Sequence, residues 1–262
     1  MLEISDLTVS YSPRSSDGPV LKGVSMALSG EKIAIVGPNG SGKSTLFRAI
    51  LGLVGIQSGS VKVFGTSVGL ERGDTRLSTN LAEVYRLAYV PGRDIVEIFA
   101  ELKGGSPEAA LKLFHDFELD QVLGKRIHEM STGQQKMFGN LLAVSFSPKL
   151  VLLDEPFDNV DESRRRRFVE LLKGLDAEVV TITHEFNLLQ RLPDWGLYFM
   201  LEGKLWGKFS ASQLDRLYVT KGVAGGALMV MDTSLGKLSV TLDRGDVQVK
   251  TASNINALLE RV

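Results

Sequence analysis

Apolar and polar positions alternate along Leu2–Tyr11, a stretch rich in β-branched residues, and predict a strand. A polar loop, Ser12–Pro19, separates it from a second predicted strand, Val20–Leu28. After a turn at Gly30-Glu31, the run Lys32–Val36 is almost continuously apolar, as in strands buried on both faces of a parallel sheet. The period then changes. Leu46, Ile50, Leu51 and Leu53 fall at helical spacing and predict a helix over Ser44–Val54. Ser58–Gly65 predicts a strand bracketed by glycines. From about Asn80 to Ser147 the pattern is mainly helical. Ile95–Leu102 and Ala109–Phe117 are amphipathic, divided by Gly104-Gly105-Ser106-Pro107, and Gln134–Phe146 follows. Leu150–Leu153 is a short apolar strand, Ser163–Leu175 a helix and Glu178–Thr183 a strand. Short apolar strands alternating with helices predict an α/β fold built on a parallel sheet, with a helical insertion between its halves. The tail from about Tyr218 reads differently. Ala227–Met231, Lys237–Leu242 and Val247–Lys250 predict three short strands with turns at Ser234–Gly236 and Arg244-Gly245, and Ile255–Arg261 a closing helix. This is the pattern of a small appended domain.

Composition narrows the picture. Hydrophobic residues make up 44% of the 262 positions and charged residues 23%, the balance of a globular protein rather than a disordered one. A formal net charge of -1 argues against a nucleic-acid coat or a polybasic membrane binder. With no cysteine, disulfides, thiol catalysis and Cys-ligated zinc are excluded. The opening MLEISDLTVSY has no basic segment followed by an apolar one, so no signal peptide is expected, and no apolar run approaches the ~18–20 residues that span a bilayer. Glycine is in excess, with 27 residues against the usual ~7%.

Several of those glycines form a motif. Gly37-Pro38-Asn39-Gly40-Ser41-Gly42-Lys43-Ser44-Thr45 matches G-x-x-x-x-G-K-[ST], with an apolar strand before it and a helix after it. Such a loop wraps backbone N–H groups around phosphates, and the helix N-terminus adds partial positive charge. Lys43 is placed to reach the β- and γ-phosphates, and the Ser44 hydroxyl to ligate Mg²⁺. Further on, Leu150–Leu153 delivers Asp154-Glu155-Pro156 at its C-terminal end, where open α/β sheets bind ligands. Asp154 is expected to hold Mg²⁺ and Glu155 to polarise an attacking water. Together the two motifs predict nucleotide hydrolysis.

A third motif, Met130-Ser131-Thr132-Gly133-Gln134-Gln135-Lys136, precedes the acidic pair and opens a helix. Here the chain resembles the ATP-binding-cassette (ABC) ATPases, whose signature reads Leu-Ser-Gly-Gly-Gln. Ser131, Gly133 and Gln134 match, Met130 replaces Leu, and Thr132 replaces the first Gly. The resemblance covers about residues 1–210. It implies a P-loop NTPase core, a parallel sheet with an antiparallel β N-terminal part, over residues 1–216. It also implies a helical insertion at about 81–148; residues 217–262 form the small extension. It further implies that Tyr11 stacks on adenine, that Asp161 belongs to the loop after the acidic pair, and that His184 contacts the γ-phosphate. His115 and His128 lack such a context and are read as structural. The family's Gln between core and insertion, which senses Mg²⁺ and the attacking water, has no counterpart between Gln57 and Gln121. Gly92, in Tyr89-Val90-Pro91-Gly92, has the local context without the side chain. Asn80 keeps the carboxamide, and its spacing from Lys43 and Ser131 suits the family better, so Asn80 is the expected replacement.

The resemblance implies a homodimer, or a heterodimer with another ABC ATPase. Each ATP is then held by the P-loop of one chain and the Ser131 signature of the other. It also implies a separate transmembrane subunit and a cytoplasmic, peripheral location on the inner face of the membrane. A soluble ABC ATPase with an assembly or regulatory role is the alternative. The run Arg164–Arg167 would occupy the whole circumference of a helix rather than one face, so nucleic acid is not an expected partner. The tail is expected to support dimerisation, because Ala227–Met231 is an apolar strand that needs covering.

Overall fold

Strand β1 (Leu2–Val9) buries Leu2, Ile4, Leu7 and Val9. Strict alternation cannot place both Ile4 and Leu7 inward. A register slip falls between Ile4 and Leu7 against β2 (Leu21–Leu28) and between Ser5 and Thr8 against β4 (Ser58–Val63), and within both intervals Asp6 takes a φ of 47°. The bulge resets the phase and returns Leu7 to the core. β3 (Lys32–Val36) has Ile33 to Val36 fully buried, as the continuous apolar run requires. α1 (Lys43–Ile50) follows it, and β5 (Thr66–Ser67) pairs with β4. The expected helix to Val54 stops early because Gly52 turns into the left-handed region at φ 69°, and its N–H closes on Ala49 O.

The computed structural model describes residues 1–11, 18–69, 74–87, 89–252 and 255–261. Most of the polar loop expected at Ser12–Pro19 lies outside the described residues. The chain divides into two units, Met1–Arg72 with Ile182–Val262, and Gly73–Thr181.

The second unit opens on β6 (Leu77–Thr79) and continues through α2 (Ala82–Tyr85), α3 (Gly92–Lys103), α4 (Pro107–Asp116) and α5 (Asp120–Leu123). α6 (Thr132–Val144), β7 (Leu150–Asp154) and α7 (Glu162–Gly174) follow. Local chemistry explains the ends. Ser106 caps α4 by accepting from Ala109 N–H, with Pro107 in the first turn, and Gly104 at φ 65° stops α3. β6 and β7 run parallel, with Thr79 opposite Leu152. Phe138 on α6 packs against Tyr85 and Phe114, and burial pushes the Tyr85 hydroxyl up to about 12. Lys103 donates to Thr75 O, Leu77 O and Ser78 Oγ, fixing the start of β6.

β8 (Glu178–Thr183) is buried along its whole length and carries the chain from the second unit into the first. There α8 (Phe186–Leu189), β9 (Gly196–Leu201) and β10 (Lys204–Ser210) follow, and β9 lies parallel to β3. Beyond a 3₁₀ segment at Ala211–Arg216 come β11 (Leu217–Lys221), β12 (Met229–Thr233), β13 (Gly236–Leu242) and β14 (Val247–Gln248). They form an antiparallel sheet in the order β12-β13-β11-β14. α9 (Ile255–Leu259) closes the described chain. The strand expected over Val247–Lys250 is only two residues long, because Val249 turns into the core at the start of a 3₁₀ segment. The tip of the β12–β13 hairpin is tied down by Ser234, whose N–H and hydroxyl both donate to the Glu202 carboxylate in the β9–β10 turn.

Candidate functional site

The glycine loop Gly37–Thr45 lies in the first unit, between β3 and α1. Gly42 caps α1 at φ 103° and Gly40 sits at φ 80°, conformations that L side chains rarely adopt. A Cβ on Gly37 would overlap the Met200 carbonyl of β9. Behind the loop, Gly203 N–H donates to Ser41 O at 3.0 Å. Lys43 is 6% exposed, and its ammonium donates to Gly37 O at 2.7 Å and Pro38 O at 3.0 Å. It thus lies along the same backbone that the phosphates are expected to meet. The Tyr11 hydroxyl shares a 3.1 Å hydrogen bond with Thr45 Oγ1 while the residue stays 57% exposed. His184 directly follows β8 in this unit and is half-buried.

The second unit holds the other predicted residues. β7 ends on Asp154, whose N–H and C=O are both committed. The N–H donates to Asn80 Oδ1 at 2.7 Å, and the carbonyl accepts from Asn80 Nδ2 at 3.1 Å and Lys136 Nζ at 3.0 Å. Among the described residues, no donor faces the Asp154 carboxylate oxygens. Glu155 follows at φ 43°, a left-handed conformation that costs a non-glycine residue about 1 kcal/mol or more.

Asn80 requires a correction. The expected stand-in for a metal- or water-binding Gln is buried, at 5% exposure, with its second amide hydrogen given to Asn140 Oδ1 at 2.7 Å. Both donors and one acceptor lone pair are spent inside the protein. Asn80 braces Asp154 instead of facing a ligand. Gly92 is buried at the start of α3, where a Cβ would overlap Phe138 and the Val122 carbonyl.

At the start of α6, Ser131 and Gln134 form a reciprocal cap. Ser131 Oγ accepts from Gln134 N–H at 3.2 Å, and Gln134 Oε1 accepts from Ser131 N–H at 3.0 Å. Among the described residues nothing accepts the Ser131 hydroxyl hydrogen. Asp161 caps α7, accepting from the Arg164 N–H at 3.0 Å and from its guanidinium at 2.7 Å. Burial pushes the Asp161 carboxyl up, but these Arg164 contacts outweigh it and hold the group below the usual range. Ser131, Gly133, Gln134, Asn159, Asp161 and Arg164 line an open pocket of about 220 Å³ together with apolar neighbours. The other arginines of the run are also engaged: Arg165 with Val160 O, Arg166 with Glu162, and Arg167 with Asp116 O and Glu118.

Gly133 approaches the backbone of the 154–161 segment so closely that a Cβ would overlap the Asn159 carbonyl. Gly133→Ala is therefore expected to displace Asn159 and lower turnover about tenfold or more. Affinity for a fluorescent ATP analogue should stay near wild type, because the glycine loop is untouched. Steady-state ATPase and nucleotide titration check it; full activity would show that the contact is dispensable.

Sequence reasoning missed Asn140 and Lys136, which bind the acidic turn Asp154–Pro156 from α6. Lys136 stood within the signature without an assigned part. Asn140 had one weak signal, a carboxamide among Phe138, Gly139, Leu141 and Leu142.

The family model described as ABC transporter matches residues 21–158. A phosphonates import ATP-binding protein from Oceanobacillus iheyensis is 32% identical over 209 residues, 72% of this chain and 81% of that one. A zinc transport system ATP-binding protein from Treponema pallidum is 29% identical over 245 residues, 83% of this chain and 86% of that one. A solved structure whose name assigns it provisionally to cobalt transport as an ATP-binding protein aligns at TM-score 0.92 with 31% identity, covering 100% of both chains. A dimeric ATP-binding cassette bound to ADP and Pi shares the fold, with TM-score 0.71 and 22% identity over 80% of this chain and 99% of that one.

Proposed function

This chain belongs to the ABC transporter family and is a transport-coupled ATPase, and from that premise we propose that it works as one of two ATP-binding subunits on a separate membrane protein. Residues 1–216 form the nucleotide-binding domain, with the helical insertion at about 81–148, and residues 217–262 a small extension. Lys43 and the N–H groups of Gly37–Thr45 bind the phosphates, and Tyr11 supports the base. Glu155 accepts the proton of the attacking water, and His184 steadies the γ-phosphate.

Ser44 and Asp154 would hold Mg²⁺. Their hydroxyl and carboxylate oxygens suit a hard cation, and the Asp154 carboxylate has no protein donor among the described residues. The ion would supply charge neutralisation on the β- and γ-phosphates.

The observation that carries the dimer is the open pocket at the start of α6. Its capped helix N-terminus favours an anion, and Ser131 keeps a hydrogen to donate. This suits a γ-phosphate presented by the glycine loop of a second subunit, with Asp161 at the same seam. ATP then joins the two chains, and hydrolysis releases them. Among the described residues no helix is long and apolar enough to cross a membrane; in this reading a separate membrane protein supplies the translocation path. The chain works at the cytoplasmic face of the membrane.

Affinity purification of the tagged chain from detergent-solubilised membranes tests the partnership. A polytopic membrane protein should co-purify in stoichiometric amount and be identified by mass spectrometry. Recovery of the chain from the soluble fraction alone, with no such protein attached, would overturn the transport reading.

A further inference from the structure

Beneath the acidic turn of the second unit lies a buried pair of asparagines that no motif predicts. Asn80 is 5% exposed and Asn140 fully buried. In the β6–β7 ladder Thr79 stands opposite Leu152, and Asn80 N–H still bonds Leu152 O at 3.3 Å. The backbone ladder ends there, and the Asn80 side chain continues it. Its carboxamide meets both the N–H and the C=O of Asp154, as a neighbouring strand would. Asn140 Oδ1 accepts from Asn80 Nδ2 at 2.7 Å, and Asn140 Nδ2 donates to Pro156 O at 2.6 Å. The two side chains therefore grip the backbone immediately before and immediately after Glu155.

We infer that Asn80 and Asn140 are positioning residues for the ATPase reaction, a carboxamide clamp that aims the Glu155 carboxylate. Two physical arguments carry it. Buried polar side chains are held by satisfied hydrogen bonds, and each bond here ends on the backbone of the acidic turn or on the other asparagine, apart from a weak contact of Asn140 with Met137 Sδ at 3.7 Å. Glu155 also sits in an unfavourable left-handed conformation, which persists only where its surroundings over-determine it. Fixing residues 154 and 156 on either side does that. Because Asn140 lies on α6, the same helix that Ser131 caps, the clamp also ties the signature helix to the acidic turn.

The inference rests on the proposed role of Glu155 as the base, so Glu155→Gln is assayed beside the clamp variants. Asn140→Leu removes the clamp. Asn140→Asp has nearly the size of Asn, keeps the acceptor for Asn80 and loses the donor to Pro156. Each is measured for thermal unfolding, kcat, KM and affinity for a fluorescent ATP analogue. The expected result is a fall in kcat of about 10- to 100-fold, the scale of a catalytic group misplaced by ~1 Å. KM and nucleotide affinity should stay within about twofold, because the glycine loop is unchanged. A folded Asn140→Asp variant with wild-type kcat overturns the clamp. So does a loss of kcat matched by an equal loss of nucleotide affinity, or unfolding of both variants at the assay temperature, since the pair would then be ordinary core. If Glu155→Gln is inactive while Asn140→Asp is normal, the clamp alone fails. If Glu155→Gln is fully active, the assignment of the base fails first.

Discussion

Replacing Glu155 by Gln is expected to lower steady-state ATP turnover by about 10²- to 10⁴-fold, the usual contribution of a positioned general base. The substitution keeps the size and planarity of the side chain and removes only its basicity and charge. The glycine loop, Lys43 and the α6 pocket are left intact, so ATP should still bind. In the proposed cycle hydrolysis releases the two subunits, so the variant should accumulate as an ATP-bound dimer. Size-exclusion chromatography with and without ATP reads this directly, beside a phosphate-release assay. The wild type should dimerise only transiently under the same conditions. If the variant stays monomeric in ATP, and the wild type never dimerises either, a site shared between two chains is wrong. If it turns over at the wild-type rate, the base is another residue.

The parts of the fold that were legible in the sequence are those where one physical demand dominates. Ile33 to Val36 and Leu150 to Leu153 had to be buried on both faces, and Gly40 and Gly42 had to reach backbone angles closed to other residues. Ser131 and Gln134 were legible as part of the signature that opens a helix, and their reciprocal cap emerged only with the hydrogen bonds. Other elements depended on distant partners. β9 is an apolar run like β3, with Gly196 and Glu202-Gly203 as its punctuation, yet no element is predicted between Thr183 and the tail. β11 opens the tail sheet but sits at the predicted domain boundary, where the change in pattern hid it.

Asn80 shows the same limit at the site. Spacing along the chain placed a carboxamide near the right position and assigned it to a ligand. Only the fold brings Asn140, 60 residues later, to its side and turns it inward. Local rules find residues whose role is set by their neighbours in sequence. They miss a polar side chain whose role is to hold another residue's backbone. The Ala227–Met231 stretch is intermediate: Met231 is buried on β12, while Leu228 remains 48% exposed before the strand begins.

Lys43→Ala should fail at an earlier step than Glu155→Gln. The Lys43 ammonium donates to two carbonyls of its own loop, Gly37 O and Pro38 O, which hold it inside the proposed phosphate loop. A charge-assisted hydrogen bond contributes about 1.5–3 kcal/mol, which converts to roughly 10- to 150-fold in affinity. Lys43→Ala is thus expected to weaken binding of ATP and ADP by about that factor. Turnover should fall to background even at saturating ATP, because the charge that develops on the β–γ bridging oxygen loses its partner. Lys43→Arg separates charge from shape. The guanidinium keeps the charge but not the compact ammonium that fits between Gly37 O and Pro38 O, so it should not restore turnover. Isothermal titration with nucleotide, phosphate release and thermal unfolding together decide the matter. A folded Lys43→Ala protein that binds ATP at wild-type affinity would remove Lys43 from the site. An active Lys43→Arg protein would show that a positive charge alone is enough. The two lesions should also differ in assembly: ATP should trap the Glu155→Gln dimer and leave Lys43→Ala monomeric, because a nucleotide that is not held by the loop cannot bridge to Ser131 of a second chain.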